Sequence, residues 1–431
     1  MKYLVTLLFF TSLLLAKQDF TIQPAGIIQL RYDAHHIDYT SLGQQVLKEK
    51  EITYNDYIVG GTLGVQASWE GFTLNTLAYG VGRLHSKDEN NLKNVKSFYN
   101  NDLDGFLYVG ELSIKKSFDA HSVTIGRQTY DTPLVNKNFR ITQNAYEGLN
   151  YSYANGAFNF KSLYFYKIAS STMANNVPFN HKYGFLGYGL GYNSGGYTTL
   201  SKHIINKDLA TNGAIHFLAK YGEKEQHLSF ENLFVDNFFN TLNLTLSYNI
   251  ENFYIKTGMI YQFSVGDKHI EKHIEPAQFG KKLESYHYQL ELKYKNEKVQ
   301  IAYSIASTPS NKNAIYNGTL MSPFSNQASW LVGLNTSHST IADTLSQKIS
   351  LLTHTKFYKI PIVFSTAYIR YDIGKNNNLT ANAIDTSELY LHLQGYFSKN
   401  ISAKIQYSYV QNYDPLRYKS FNTKLALEYK F

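Results

Sequence analysis

Apolar and polar residues alternate with a period of two along most of the chain. In segments 241–250, 286–295, 298–306, 388–397 and 401–410, one face is apolar and the other is polar. This alternation predicts β-strands, because successive side chains of a strand point to opposite faces. A sheet packed on a soluble core alternates too. Segments of about ten residues, repeated through the whole chain, favour a barrel with lipid outside and water inside.

Short and long connections also alternate between these segments. The short ones are 70–71, 118–121, 155–156, 195–196, 296–297 and 399–400, and the long ones include 35–56, 85–105, 129–146, 265–283, 308–326 and 372–386. Brief turns at one end and extended loops at the other are the layout of outer-membrane barrels. The sequence therefore predicts an all-β fold, a transmembrane antiparallel β-barrel of about 18 strands.

The first residues predict a signal peptide over residues 1–16. Lys2 supplies the positive start, the apolar run covers 4–15, and Ala16 is a plausible last residue before cleavage. The run is shorter than the roughly 20 residues of a spanning helix. We therefore expect an exported chain with one domain, the barrel, over residues 17–431.

The last residues form an amphipathic strand that ends in an aromatic residue. Phe421, Leu425, Leu427, Tyr429 and Phe431 share one face. Such a strand can pair with the first strand, 22–34, and close the barrel, which leaves no unpaired edge in lipid. It also resembles the signal read by the bacterial barrel-insertion machinery, so we expect that machinery and outer-membrane lipid as partners.

Composition excludes several kinds of site. The chain has 37 Tyr and 27 Phe, which suit strands, and no Cys, which excludes disulfides and thiolate metal sites. The net charge of +8 is spread singly along the strands rather than clustered, so nucleic acid is not expected as a partner. His35-His36 and the His269–His273 spacing are interpreted as solvated segments. We predict no metal and no cofactor.

One stretch resembles a known family closely. Gly126-Arg127-Gln128, Pro133-Leu134-Val135, Arg140 and Tyr146-Glu147-Gly148 are similar to the constriction-loop segment of the OprD family of bacterial outer-membrane porins. The resemblance implies an 18-stranded barrel whose third extracellular loop folds inward. It also implies location in the bacterial outer membrane and passive, substrate-selective diffusion of small hydrophilic solutes such as carboxylates or amino acids.

The constriction candidates are Arg127, Asp131, Pro133, Arg140 and Glu147. An arginine offers a planar fork that can bind a carboxylate with two hydrogen bonds. Alternatively, Asp131 and Glu147 pair with the arginines and only fix the loop. Arg127 has the parity of the apolar residues on its strand, so it reaches the lumen only if the strand bends there.

A basic row along the lumen is the second candidate site. Rings of Lys and Arg favour anions in pores. In the alternative interpretation these residues only hydrate the lumen, and Glu291, Glu388 and Glu428 neutralise them. The residues predicted for the row are Lys348, His354, Lys356, Arg370 and Lys404.

Several functions remain open at this level. A selective channel and a general, non-selective diffusion pore differ only in the width and chemistry of the constriction. An outer-membrane barrel enzyme needs a nucleophile and a base within hydrogen-bond reach. No convincing set of that kind occurs at one rim, so we predict that the chain is not an enzyme. An adhesin would not need an inward loop. The sequence leaves both a monomer and a homotrimer open.

Overall fold

The computed structural model describes residues 20–41, 44–45, 50–88, 105–137, 141–170, 196–205, 207–223, 225–273, 280–325, 327–377, 382–412 and 417–431. The signal peptide predicted over residues 1–16 lies outside these residues. Nearly all of the regular structure is β-strand.

The strands follow one another along the chain, with the two-residue β8 as the single short one. Their bounds are β1 (Thr21–Tyr39), β2 (Glu51–Trp69), β3 (Phe72–Asp88), β4 (Gly105–Phe118), β5 (His121–Gln128), β6 (Ala145–Asn155), β7 (Phe158–Ala169), β8 (Thr198–Thr199), β9 (Ala214–Gly222), β10 (His227–Val235), β11 (Phe239–Ile250), β12 (Phe253–Ser264), β13 (Glu284–Lys295), β14 (Val299–Thr308), β15 (Thr344–Phe357), β16 (Ile360–Ile373), β17 (Ile384–Tyr396), β18 (Ile401–Gln411) and β19 (Arg417–Lys430).

The helical elements are short and lie in the connections. Those whose bounds lie within the described residues are α1 (Leu200–Ile205), α2 (His269–His273) and two 3₁₀ turns, Ile315–Gly318 and His338–Thr340. Among the described helices, none has the length and apolar character needed to cross a membrane.

The strands form one antiparallel sheet that closes on itself. Each strand pairs with its neighbours in the chain, except that β7 pairs directly with β9 while β8 adds to the end of β7. The described wall is therefore an 18-stranded barrel with one extra strand. The register between β1 and β19 runs from Ile27↔Lys430 to Tyr39↔Arg417. The predicted closure by the first and last strands is confirmed.

The two faces of the wall differ as the alternation predicts. On β11, Leu244 and Leu246 point outward and are 44% and 50% exposed, whereas Asn243 and Thr245 point inward and are buried. Apolar side chains that remain exposed all around a closed barrel match an outer surface solvated by lipid. Most of the short turns lie at one end, which by the same pattern is the periplasmic end, whereas the short turn 236–238 between β10 and β11 lies at the other end.

Two long connections fold into the lumen. They are L3 (129–144, described except for 138–140) and L7 (309–343, described except for 326). L3 buries Leu134 and Val135 completely or nearly so, and L7 does the same with Phe324 and Leu331. The predicted inward fold of the third extracellular loop is confirmed, and L7 joins it. We call L3 and L7 together the constriction.

The outward and inward faces of one strand provide a direct test of the barrel orientation. Ile405 points outward from β18 at 49% exposure, roughly 12 Å above the turn at 397–400 and so near the middle of a band about 25 Å tall. We expect Ile405→Arg to lower the free energy of unfolding in lipid vesicles by about 2–4 kcal/mol, since it puts a cation into hydrocarbon.

The matched control is the next residue, Gln406, which faces the lumen and contacts His392 at 3.1 Å. Gln406→Arg places the same side chain in water, so its urea unfolding curve should stay close to that of the unaltered chain. Equal losses for both variants would contradict the assignment of faces.

Candidate functional site

L3 and L7 leave the wall at distant strands and meet inside the barrel. L3 connects β5 to β6, and L7 connects β14 to β15. The backbone N–H of Asn136 donates to the carbonyl of Phe324 at 3.1 Å. The Tyr146 hydroxyl donates to the carbonyls of both residues, at 2.7 and 3.2 Å. Two loops that leave the wall at distant strands and hydrogen-bond to each other inside the barrel narrow its lumen.

L3 also packs against the wall on the side of β2 to β4. Ile141 forms a small apolar cluster with Ile58 and Val81, and Phe106 packs on it. Gly60 allows this approach, because a Cβ atom there would lie 2.6 Å from Cγ2 of Ile141. The lack of a side chain at position 60 is therefore needed for L3 to pack against the wall, not for a turn.

A buried carboxylate on the wall holds the other part of L3. Glu231 of β10 accepts hydrogen bonds from the backbone N–H of Leu134 at 2.9 Å, from His216 Nε2 at 2.8 Å and from Asn243 Nδ2 at 3.0 Å. Tyr130 of L3 contacts His216 Nδ1 at 3.0 Å. Burial, reinforced by the charge of Glu231, raises the pKa of Tyr130. Its hydroxyl therefore stays protonated and donates a hydrogen bond to His216 Nδ1.

A second buried carboxylate holds L7 in the same way. Glu388 of β17 accepts from the backbone N–H groups of Leu334, Asn335 and Thr336, each at 3.0 Å, and from the Thr336 hydroxyl at 2.5 Å. Three consecutive N–H groups aimed at one anion form a nest, which suits a carboxylate that is almost fully buried. The loop backbone is thus satisfied by the wall.

Lysines line the lumen beside and below L7. Lys348 of β15 donates to the carbonyl of Val332 at 3.1 Å, and the Lys256 ammonium on β12 lies 3.8 Å from the ring centre of Trp330. Lys220 and Lys293 are close enough to Lys256 to repel it electrostatically. Both lie nearer the short turns, so the row descends from the constriction toward the periplasmic mouth. We call Lys348, Lys256, Lys293 and Lys220 the lysine row.

The structure corrects two of the predicted constriction residues. Arg127 and Glu147 lie on the outward face, beside the exposed Ile125 and Leu149, and bind each other at 3.1 Å. The strand does not bend before its end at Gln128, so Arg127 keeps the outward parity of its strand. The prediction that they line the pore is therefore wrong, and the alternative that they pair with an opposite charge is right for this pair.

Arg127 instead helps to seal the wall. The last described pair between β4 and β5 is Leu112↔Arg127, so the carbonyls of Val109 and Gly110 lie above it. The Arg127 guanidinium donates to the first at 3.4 Å, and the Tyr197 hydroxyl donates to the second at 2.7 Å. Such partners matter in a bilayer, where an unsatisfied backbone group costs several kcal/mol.

The other predicted constriction residues lie in L3 itself. Asp131 is exposed and lies 3.5 Å from the ammonium of Lys137. The carbonyl of Pro133 accepts a hydrogen bond from Ser325 Oγ at 2.5 Å, which adds to the bonds between L3 and L7. Arg140 falls outside the described residues and stays a prediction. If it lies in the constriction, Arg140→Ala should raise the conductance and weaken anion preference.

The predicted basic row is placed only in part. Lys348 and Lys404 face the lumen, and Lys404 is paired with Glu428. His354 and Lys356 have the lumen parity but are exposed beside the turn at 358–359. Arg370 is misassigned, because it faces outward and binds Asp372 at 2.7 Å and Asp385 at 3.4 Å.

The reason for the misassignment of Arg370 is an inverted pattern at the level of the constriction. Its neighbours Ile369 and Tyr371 face inward, where they pack with Ile341 of L7. At the end of this strand, over 369–373, the apolar residues therefore mark the lumen side, and the polar Arg370 and Asp372 mark the outside. Alternation alone gives two faces but does not say which one is inside.

The sequence interpretation missed the residues that hold the loops. His216 and Glu231 carried no motif, and the strand boundaries near residue 216 were not resolved by the alternation. Glu388 was interpreted as a neutralising charge, whereas it binds L7. The signal in each case is a lone acidic residue at a lumen position, which becomes meaningful only when the loop opposite it is known.

No protein-family model and no curated protein sequence matches this chain. Solved structures do match it. OccAB3 of Acinetobacter baumannii shares 13% identity over 95% of this chain and 99% of its own, with a TM-score of 0.69. OpdK of Pseudomonas aeruginosa, solved with vanillate, shares 11% identity over 94% of this chain and 98% of its own, with a TM-score of 0.60. OccK2 of the same organism, solved with glucuronate, shares 11% identity over 95% of this chain and 98% of its own, with a TM-score of 0.62.

These likenesses extend over nearly the whole length of each protein. The matched structures are porins of the OprD/Occ type, so the resemblance inferred from the constriction segment is confirmed at the level of the fold. The chain has the 18-stranded fold of bacterial outer-membrane porins.

The attachment of L3 can be tested through Glu231. Glu231→Ala leaves the Nε2–H of His216 and the N–H of Leu134 without their acceptor, and each buried donor left unsatisfied costs about 1–3 kcal/mol. L3 should loosen, and single-channel recordings in planar bilayers should show a larger and noisier conductance.

Glu428→Ala is the control, because it removes the same charge from the lumen wall but touches Lys404 and Gln29 of the wall rather than a loop. An unaltered conductance in Glu231→Ala, or the same increase in both variants, would refute the role given to Glu231.

Proposed function

We propose that the chain is an outer-membrane channel for passive, selective diffusion of small anionic solutes, above all carboxylates. Its closed wall has an apolar outside and a polar inside, which provides a watery passage through a bilayer. The constriction limits the size of what passes. The observation that carries the proposal of anion selectivity is the lysine row, which runs along the lumen from the constriction downward.

The acidic residues of the lumen leave this row basic. Glu231 and Glu388 are occupied by the loops, and Glu428 is paired with Lys404. Glu291 is the acidic neighbour of the row, 3.6 Å from the ammonium of Lys293. The four lysines of the row outnumber the two carboxylates beside it, Glu291 and Glu388, and a channel with low-dielectric walls concentrates the field of such charges.

Trp330 adds an apolar surface to the upper part of the row. Its ring stacks on Lys256, and its backbone N–H is fixed by Gln289 Oε1 at 2.9 Å. A solute with a carboxylate and a flat or ring-shaped body could present the charge to the lysines and the body to this ring. The ligands named for OpdK and OccK2, vanillate and glucuronate, combine a ring with a carboxylate, which supports the proposal by likeness of fold.

Conductance measurements on a solute panel test this function. Carboxylates with aromatic or sugar rings should block or compete with chloride current in single channels, whereas neutral sugars of the same size should not. A response that depends on size alone would instead favour the general diffusion pore.

The lysine row makes a specific prediction for Lys256. One charge at about 4 Å is worth about 1 kcal/mol in water, which corresponds to about a fivefold change in the local concentration of an anion. We therefore expect Lys256→Gln to lower the chloride-to-potassium permeability ratio by about fivefold, as measured from the reversal potential in a KCl gradient.

Arg370→Gln is the matched control. Because Arg370 faces outward, this substitution removes the same charge without changing the lumen. Its permeability ratio should equal that of the unaltered chain. The proposal fails if Lys256→Gln has no effect, or if Arg370→Gln has as large an effect.

A further inference from the structure

The outer rim of the barrel carries a cluster of possible metal ligands. His36 and Asp38 lie at the end of β1, and Glu51 and Thr53 lie at the start of β2. The register places His36 opposite Thr53 and Asp38 opposite Glu51, so all four side chains share the outward face. One ligand atom each from His36, Asp38 and Glu51 lie within 4.8 Å of one another.

The two adjacent histidines of this strand have different roles. His35 faces the lumen, where its Nε2 contacts Ser420 Oγ at 2.7 Å. His36 faces outward, with Nδ1 2.6 Å from Thr53 Oγ1 and Nε2 3.0 Å from Asp38 Oδ1. When Nδ1–H donates to Thr53, the lone pair of Nε2 points at a carboxylate oxygen. A cation between those two atoms satisfies both.

We propose that His36, Asp38 and Glu51 bind one divalent transition-metal ion of the zinc class. An imidazole nitrogen with two carboxylate oxygens suits zinc and its neighbours, whereas Ca²⁺ and Mg²⁺ prefer oxygen alone. Zinc bonds of about 2.0–2.2 Å place tetrahedral ligands about 3.3–3.5 Å apart. His36 Nε2 and Asp38 Oδ1 are 3.0 Å apart, and the Glu51 oxygen lies within 4.8 Å of both, so a small movement of the exposed Glu51 side chain completes the set. Three protein donors leave the fourth position to water, and binding displaces any proton held between His36 and Asp38.

The ligands are held in the way that metal sites require. Thr53 fixes the second ring nitrogen of His36, and a partner of this kind sets the orientation of a ligating histidine. All four ligating and supporting residues stand on the paired strands β1 and β2. On its other side β1 pairs with β19, where the ring of Phe421 lies 6.0 Å from that of His36. Lys419, the cross-strand neighbour of Asp38, lies with its ammonium 5.1 Å from the Tyr418 ring.

The height of the cluster places it outside the hydrocarbon. His36 is 15 residues beyond the start of β1 at Thr21, which at the rise and tilt of a barrel strand puts it roughly 35 Å above the periplasmic end of the wall, compared with an apolar band about 25 Å tall. A metal ion is therefore accessible from the outside medium. A bound ion holds the end of β1 to the start of β2, the two strand ends that the connection 40–50 joins along the chain. This site is independent of the solute path.

Zinc titration of the full-length protein, folded in detergent and freed of metal with a chelator, tests the site. Calorimetry should show one saturable Zn²⁺ site per chain. His36→Ala should abolish it, Asp38→Asn should weaken it by at least about tenfold, and Thr53→Val should weaken it by about 10- to 100-fold, as expected for removal of a residue that orients a ligand. Co²⁺ bound at the same site should give visible absorption bands that His36→Ala removes.

Two control variants separate this site from other histidines. His273→Ala removes the His269–His273 spacing on α2, and His121→Ala removes an outward histidine that stacks on Phe118 near a short turn. Both should keep the stoichiometric site. The proposal is overturned if His36→Ala and Asp38→Asn bind zinc as the unaltered chain does, if His273→Ala alone abolishes binding, or if no saturable binding occurs. If His36→Ala does not fold, Asp38→Asn and Thr53→Val decide the question.

Discussion

The barrel depends on the closure of its hydrogen-bonded wall. Water is absent from the bilayer core, so a strand edge left open there would expose a row of unpaired N–H and C=O groups at several kcal/mol each. The register between β1 and β19, from Ile27↔Lys430 onward, removes that edge. Where the ladder between β4 and β5 ends at Leu112↔Arg127, side chains of Arg127 and Tyr197 donate to the β4 carbonyls of Val109 and Gly110 instead.

Closure creates a second problem inside, because loops that enter the lumen bring backbone polar groups and apolar side chains with them. Two buried carboxylates accept hydrogen bonds from the loop backbones, Glu231 from L3 and Glu388 from L7. Inward-facing apolar wall residues pack against the apolar side chains of the loops, as Phe165 does against Phe324. The constriction is therefore a small core of its own, built on the wall rather than suspended in the pore.

This arrangement explains how far the sequence could predict the structure. Alternation and the pattern of short and long connections were sufficient for the barrel, its approximate strand number and its closure, and the resemblance of 126–148 to the OprD constriction segment implied the inward third loop. They failed where the lumen is apolar. Arg370 was placed inside because its neighbours Ile369 and Tyr371 are apolar, yet those neighbours face L7. Glu231 and Glu388 could not be recognised, since their role depends on loops that approach from distant strands.

The same inversion bears on where selectivity can arise. Where the wall contacts L7 and the Leu134–Asn136 part of L3, inward positions are filled by apolar contacts and by carboxylates that the loops occupy. On the side of β1 to β3 the wall is charged instead, since the pairs Arg31–Asp33 and Arg83–Asp56 lie beside Ile58. Below it the lumen face becomes polar again, and the lysine row begins at the point where Lys348 and Lys256 still touch L7 at Val332 and Trp330. A solute that passes the narrow part therefore meets loop atoms first and lysines next. Under the proposed function, size exclusion and charge selection therefore act in sequence, which separates the effect of Glu231→Ala on conductance from that of Lys256→Gln on ion preference.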